Sequence, residues 1–176
     1  MTMMETILSR RSIRSYTGEQ ISDRELQTIL QAAEASPVGM GAYETLALTV
    51  IRSEELLKKI DANAQKVFGR EGQVLYGAPT LILISTKLQN NPMDSVAYSN
   101  AAIIAQNIAL AAVDLGVGAC HIWGAISALR GNPELVKEIG IKGDKVPFCA
   151  VDLGKTEEVY TQRVIDMDRI SIQYID

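Results

Sequence analysis

Residues 80–85, Thr-Leu-Ile-Leu-Ile-Ser, are apolar and β-rich with no alternation of apolar and polar positions. A strand with one face in water alternates, so this run predicts a strand buried on both faces and central to its sheet. A second buried element follows. From about Ser99 to Leu115 the residues are small or apolar nearly all round, which predicts a helix inside the protein, ended by Gly116 as its C-terminal cap.

The remaining elements are fixed by local signals. Thr2 to Glu5 predicts a capping box for a short first helix. Ser22-Asp23-Arg24-Glu25 repeats the device for a second helix, with Ile21 and Leu26 placed as a hydrophobic staple and an end near Ser36-Pro37. Ser53 caps a helix carrying Leu56, Leu57, Ile60, Ala64 and Val67, and Asn132-Pro133-Glu134 opens another with a cap and an N1 proline. Strands are predicted over Leu46 to Ile51, Gly118 to Trp123 and Val146 to Leu153, so the order is mixed α/β. Val38 to Ala42 is too glycine-rich for regular structure and too apolar for an ordinary loop. At the chain end Ile170, Ile172 and Tyr174 alternate with Ser171 and Gln173, the pattern of a strand separated from its domain, whose edge must be satisfied in the same subunit or in a partner.

The 176 residues fit one domain, 1–176, and 47% apolar against 22% charged residues is the profile of a folded globular protein. A net charge of −4 argues against general affinity for nucleic acid or an anionic membrane, both of which require a basic surface. Cys120 and Cys149 lie in apolar surroundings without metal-ligand spacing, which predicts reduced core thiols and a cytoplasmic setting. Met1 to Glu5 lack the basic and apolar regions of a secretory signal, and the apolar stretch Ala101 to Val113, interrupted by Gln106 and Asn107, is read as too short to span a bilayer.

Against that acidic background, Arg10-Arg11-Ser12-Ile13-Arg14 places three guanidiniums and a hydroxyl within five residues. Arg stays charged and offers planar donor forks, so the cluster predicts a local phosphate or anion site. An exposed patch whose charges favour a helix C-terminus is the plainer alternative.

Several segments, in order, resemble the nitroreductase family of flavin enzymes: Arg10 to Arg14; Ala32 to Pro37; Gly77-Ala78-Pro79 before the buried strand; Ala105 to Ala112 leading through Leu115 to Cys120 into Ile122-Trp123-Gly124; and Val151-Asp152-Leu153-Gly154 with Arg163 downstream. The resemblance implies an α+β fold with a central mixed sheet wrapped by helices. It also implies an intertwined homodimer that exchanges its C-terminal strand and binds FMN at two interface sites.

Carried over, it gives Arg10 and Arg163 the FMN phosphate, with Arg11 beside them, and Ser12 a hydrogen bond near it. Arg14 would face flavin N1 and O2, while the backbone of Trp123 and Gly124 would face N5 and O4. Pro37, Val38, Gly39, Met40 and Gly41 would come from the other subunit to cover the ring. Gly41 stands where the family often has a flavin-contacting Asn, so that contact falls to backbone N–H groups, with Met40 as an apolar lid.

The implied activity is transfer of hydride from NADH or NADPH through flavin N5 to a small acceptor such as a nitroaromatic or quinone, by a ping-pong mechanism. Other flavin chemistry on the same scaffold (dehalogenation, dehydrogenation, flavin fragmentation) and a non-catalytic FMN sensor are the alternatives. Such a site requires no side-chain nucleophile, and the sequence has no Ser/His/Asp set or paired-carboxylate motif. His121 reads as structural, because Cys120 and His121 point to opposite faces of a strand. Lys66 is retained as a flavin candidate beside Asn63 and Gln65, whose register is open. Lys155 is read either as a helper at the phosphate or as a solvated charge.

Overall fold

The computed structural model describes residues 1–69, 71–92, 94–141 and 143–175. Thr2 and Ser22 each form the expected reciprocal capping box with the Glu three residues on, starting α1 (Met3–Ser9) and α2 (Asp23–Glu34). β1 (Leu46–Ile51) is followed by α3 (Glu54–Phe68), whose first turn is capped by the Ser53 hydroxyl. Beyond these come β2 (Thr80–Thr86), α4 (Asp94–Asp114), β3 (Gly118–Ile122), α5 (Gly124–Arg130), α6 (Pro133–Ile139) and β4 (Val146–Gly154).

The strands form one sheet in the order β1-β2-β4-β3, with every pair antiparallel within this chain. The unalternating run of β2 is explained by its place in the middle. Ile82 and Ile84 pack with α2 and α4 on one face, while Leu81 and Leu83 pack with α3 and α5 on the other. All seven β2 residues are buried, so the three-layer arrangement follows from that strand alone.

Three expectations are revised. Val67 is 57% exposed, because α3 turns Leu57, Ile60, Asp61 and Ala64 inward instead. Trp123 stands at the head of α5 rather than in β3. α4 begins earlier than its apolar stretch and reaches 21 residues, long and apolar enough to cross a membrane by length and composition. It packs against β2, β3, β4 and α2, as a core helix does. It is nevertheless not covered all round within one chain, since Ile103 is exposed and Leu110 and Ala111 are half-buried. Residues 170–174 pair with no strand of this chain, and Ile170, Ile172, Tyr174 and Ile175 are all exposed.

Candidate functional site

The arginine segment leaves α1 and runs along the open edge of β3, where the Ile13 N–H donates to the Ala119 carbonyl at 2.9 Å. Extended backbone alternates its side chains, so Arg11 and Ile13 point one way and Arg10, Ser12 and Arg14 the other. Ile13 is wholly buried and Arg11 pairs with Glu158 at 3.1 Å.

Tyr16 then fastens the segment to the sheet. Its ring lies against Gly118 and Gly154, where an added Cβ would come within 3.0 and 2.9 Å of ring carbons. Its hydroxyl lies 3.0 Å from the Ile13 carbonyl oxygen and 2.7 Å from Asp152 Oδ1, which also accepts from the Cys120 N–H at 2.9 Å. Asp152 is wholly buried, and its Oδ2 meets no donor among the described residues. Burial pushes this carboxyl up to about 8 despite the hydrogen bonds from Tyr16 and the Cys120 backbone, so at neutral pH it is mainly protonated.

The charged side of the segment is therefore uncompensated. Burial and then the neighbouring positive charge of Arg163 pull the Arg10 pKa down, with Arg14 a minor contributor in the same direction. Arg10 Nη2 donates to His121 Nδ1. Burial and the charge of Arg10 lower His121 to about 4, so the imidazole is neutral and accepts at Nδ1. Arg163 reaches back to the last turn of α1, donating through Nε to the Leu8 carbonyl at 3.0 Å and through Nη2 to that of Ile7 at 3.4 Å. Arg14 is exposed and lies 5.6 Å from the Tyr76 ring centroid. Among the described residues, no carboxylate forms an ion pair with Arg10, Arg14 or Arg163. Ser12 shares this pocket through a hydrogen bond with the Cys120 thiol, whose pKa is raised by burial and by Asp152.

An aromatic wall adjoins the cluster. Gly124 opens α5 so close to the end of α3 that an added Cβ would lie 3.7 Å from the Phe68 ring. Trp123 is 44% exposed and meets Phe148 edge-on at 5.6 Å, and Tyr98 stacks on Phe148 at 4.7 Å. An anion-seeking cradle beside a partly exposed aromatic surface is a place for a planar, phosphate-bearing molecule.

Other sequence candidates lie apart. Lys66 is exposed and borders a concavity with Lys59, Asn63 and Asn132, so Phe68 is the α3 residue that reaches Gly124. Asn63 accepts from Asn132 at 2.8 Å and Gln65 donates to the Gly72 carbonyl at 2.8 Å, which commits both to structural bonds. Lys155 is held by Glu25 at 2.6 Å. Glu25 is pushed up by burial, yet hydrogen bonds from Lys155 and Ser22 hold it down to about 2.

Pro37 to Gly41 sits on its own α4, where the Gly39 N–H donates to Asn100 Oδ1 at 3.0 Å, and it leads into β1. β1 and β3 are opposite edges of the sheet, about 14 Å apart at three strand spacings. The loop thus leaves its own chain's arginine segment uncovered, and Met40, at φ 60°, is 80% exposed.

Sequence reasoning missed Tyr16, Asp152, Tyr76 and Phe68. Asp152 carried a readable signal, a carboxylate inside the apolar strand Val151-Asp152-Leu153. The other three are aromatics whose part depends on tertiary contact.

The nitroreductase family model matches residues 7–155, which include the arginine segment, the buried strand and the turn at Trp123 and Gly124. The chain belongs to the nitroreductase family. A Methanothermobacter thermautotrophicus protein named as an NADH dehydrogenase/NAD(P)H nitroreductase is 28% identical over 175 residues, spanning 98% of this chain and 87% of that one. A protein of the same name from Archaeoglobus fulgidus is 32% identical over 154 residues, 86% of this chain and 83% of that one. Among solved structures, a nitroreductase with bound FMN from Desulfitobacterium hafniense superposes with a TM-score of 0.82 at 26% identity, covering 97% of this chain and 96% of that chain.

Proposed function

We propose that this nitroreductase-family chain is an FMN-dependent oxidoreductase that takes hydride from NADH or NADPH and passes it to a small organic acceptor by a ping-pong cycle. The observation that carries this reading is the set of Arg10, Arg14 and Arg163, with no carboxylate partner among the described residues, beside the opening at Trp123 and Gly124. These residues fit the FMN named for the Desulfitobacterium hafniense structure: guanidinium forks suit a phosphate, and a partly exposed aromatic wall suits a planar ring.

When bound, FMN supplies the hydride-accepting and hydride-donating chemistry. Arg10, oriented by neutral His121, and Arg163, oriented by the end of α1, hold its phosphate. Ser12 adds a polar contact nearby. Arg14 places positive charge at the pyrimidine edge, which stabilises the reduced form and raises the reduction potential. Trp123 and Gly124 present backbone N–H groups while leaving one side of the site open to donor and acceptor. Nitroaromatics and quinones are the proposed acceptors.

The proposed assembly is a homodimer in which the partner's Pro37 to Gly41 loop covers the ring. It is supported by that loop's distance from its own cradle, the uncovered side of α4 and the exposed apolar tail. The cytoplasm is the proposed compartment, in keeping with two buried free thiols.

The purified protein is expected to be yellow and to release FMN rather than FAD on denaturation, since the arginine set offers one phosphate site. A colourless protein that fails to take up added FMN overturns the assignment of Arg10, Ser12, Arg14 and Arg163. Arg163→Ala is expected to weaken FMN binding by roughly 1.5–3 kcal/mol, the scale of a lost hydrogen bond to a charged group. Because Arg163 also ties down α1, thermal unfolding is followed in parallel, and unchanged FMN affinity removes Arg163 from the phosphate site. Arg14→Ala is expected to lower the flavin potential more than the occupancy.

A further inference from the structure

A cavity of about 600 Å³ lies between α5, α6 and the start of β4, outside the arginine cradle. Its wall includes half-buried Leu88, Val136 and Ile141, and Arg130, Lys137 and Lys145 border it. Among the described residues, none of these three cations forms an ion pair. Two acids close to them in sequence are already engaged: Asp144 by Lys87 at 2.6 Å and Glu138 by Lys59 at 2.6 Å. Arg130 and Lys137 occupy the last turns of α5 and α6, where a cation complements the helix end. That role does not account for Lys145, which precedes β4 and converges on the same hollow. An apolar floor with a cationic rim suits a ligand that combines a flat base with several phosphates.

The cavity is also joined to the proposed reaction site. The Arg130 guanidinium lies 5.9 Å from the Phe148 ring centroid, and that ring, stacked on Tyr98 at 4.7 Å, also meets Trp123 at 5.6 Å. α5, which connects Gly124 to Arg130, is seven residues long, or about 10 Å at the helical rise. A dinucleotide with its nicotinamide at Trp123 and Gly124 would carry its phosphates outward along this path.

We propose that this cavity binds the adenosine-phosphate half of NADPH, with Arg130, Lys137 and Lys145 holding its phosphates over an apolar floor that receives the base. This rests on the reading that a nicotinamide donor docks beside Trp123 and Gly124. Three cations exceed what a pyrophosphate alone requires, so the additional 2′-phosphate makes NADPH the preferred donor.

The test titrates FMN-loaded protein with 2′,5′-ADP and measures anaerobic flavin reduction by NADPH and by NADH, in the parent and in Lys137→Ala/Lys145→Ala. The expected result is that 2′,5′-ADP binds the parent, more weakly as salt is raised, and competes with NADPH. The double variant is expected to bind both NADPH and 2′,5′-ADP at least about tenfold more weakly, and NADH less severely because it lacks the 2′-phosphate, while its FMN content stays near that of the parent. Lys137 is exposed, Lys145 is half-buried, and neither forms an ion pair among the described residues, so the fold is expected to survive. A parent that does not bind 2′,5′-ADP, or a double variant that binds it as the parent does, overturns the proposal. If 2′,5′-ADP binding depends on these lysines but neither nicotinamide reduces the flavin, the nucleotide site stands and the assignment of NAD(P)H as donor falls.

Discussion

Between pH 6.5 and pH 8 the FMN-saturated protein is expected to lose about 2 kcal/mol of unfolding free energy, and Asp152→Asn is expected to abolish most of that loss. The cause is the carboxyl on β4, raised to about 8 by burial. The folded chain keeps this proton while the unfolded chain releases it near the ordinary carboxylate pKa, so stability is highest at low pH and declines as pH rises through the folded value. Below about pH 6.5, His121 works in the opposite sense. Its folded pKa is depressed to about 4, so the unfolded chain binds the extra proton and stability rises with pH toward the ordinary histidine value. The two slopes offset each other on the acid side, which leaves the Asp152 decline visible above pH 6.5.

Asn keeps an oxygen for the Tyr16 hydroxyl and the Cys120 N–H but has no proton to lose. Its amide is left to find an acceptor, so the variant starts with a deficit of about 1–3 kcal/mol at pH 6.5, and its curve is then flat. Denaturant unfolding at several pH values, each at saturating FMN, measures both curves. The same decline in parent and variant would place the titrating group elsewhere and remove Asp152 from the Tyr16 network as described.

How much of this was legible follows from what kind of signal each part carries. β2 announced its burial because two packed faces leave no polar position, and the capping boxes of α1 and α2 are satisfied within four consecutive residues, so local sequence is sufficient. The arginine cluster was legible as an oddity of charge in an acidic chain. Its partner Arg163 came only through the family resemblance, since 149 residues separate it from Arg14 and nothing in its local pattern marks it.

The less legible features are products of tertiary packing. Arg11 and Arg14 look alike in sequence, yet the alternation of an extended segment sends Arg11 to Glu158 and leaves Arg14 open. Lys155 looked like a phosphate candidate until Glu25, whose place is set by the α2 capping box, took it. Val67 met the helical spacing but fell past the end of the sheet surface that α3 covers. His121 was read as structural, and its contact is with Arg10, so its structural work is done at the proposed phosphate site.

Removing the chain from Ile170 onward is expected to give a weaker dimer that also loses FMN, although none of the deleted residues is proposed to touch the cofactor. In one chain Ile170, Ile172, Tyr174 and Ile175 are exposed and residues 170–174 pair with no strand, an arrangement that wastes apolar surface unless a second subunit covers it. Burying a large aliphatic side chain contributes about 1.5–3 kcal/mol, so two exchanged tails account for several kcal/mol of dimer stability.

The coupling to FMN comes from the Pro37 to Gly41 loop, which lies on the opposite edge of the sheet from its own arginine segment and is proposed to close the partner's site. A ligand that binds only the assembled form stabilises it by mass action, and loss of assembly lowers apparent affinity for the ligand in the same measure. Sedimentation read together with flavin absorbance across a dilution series follows both quantities in one experiment. The truncated chain is expected to dissociate at higher concentration than the parent and to release FMN as it does so, while added FMN shifts dissociation to lower concentration. A truncated monomer that holds FMN as tightly as the parent would mean that one chain completes the site, and the loop would have to be assigned to its own subunit.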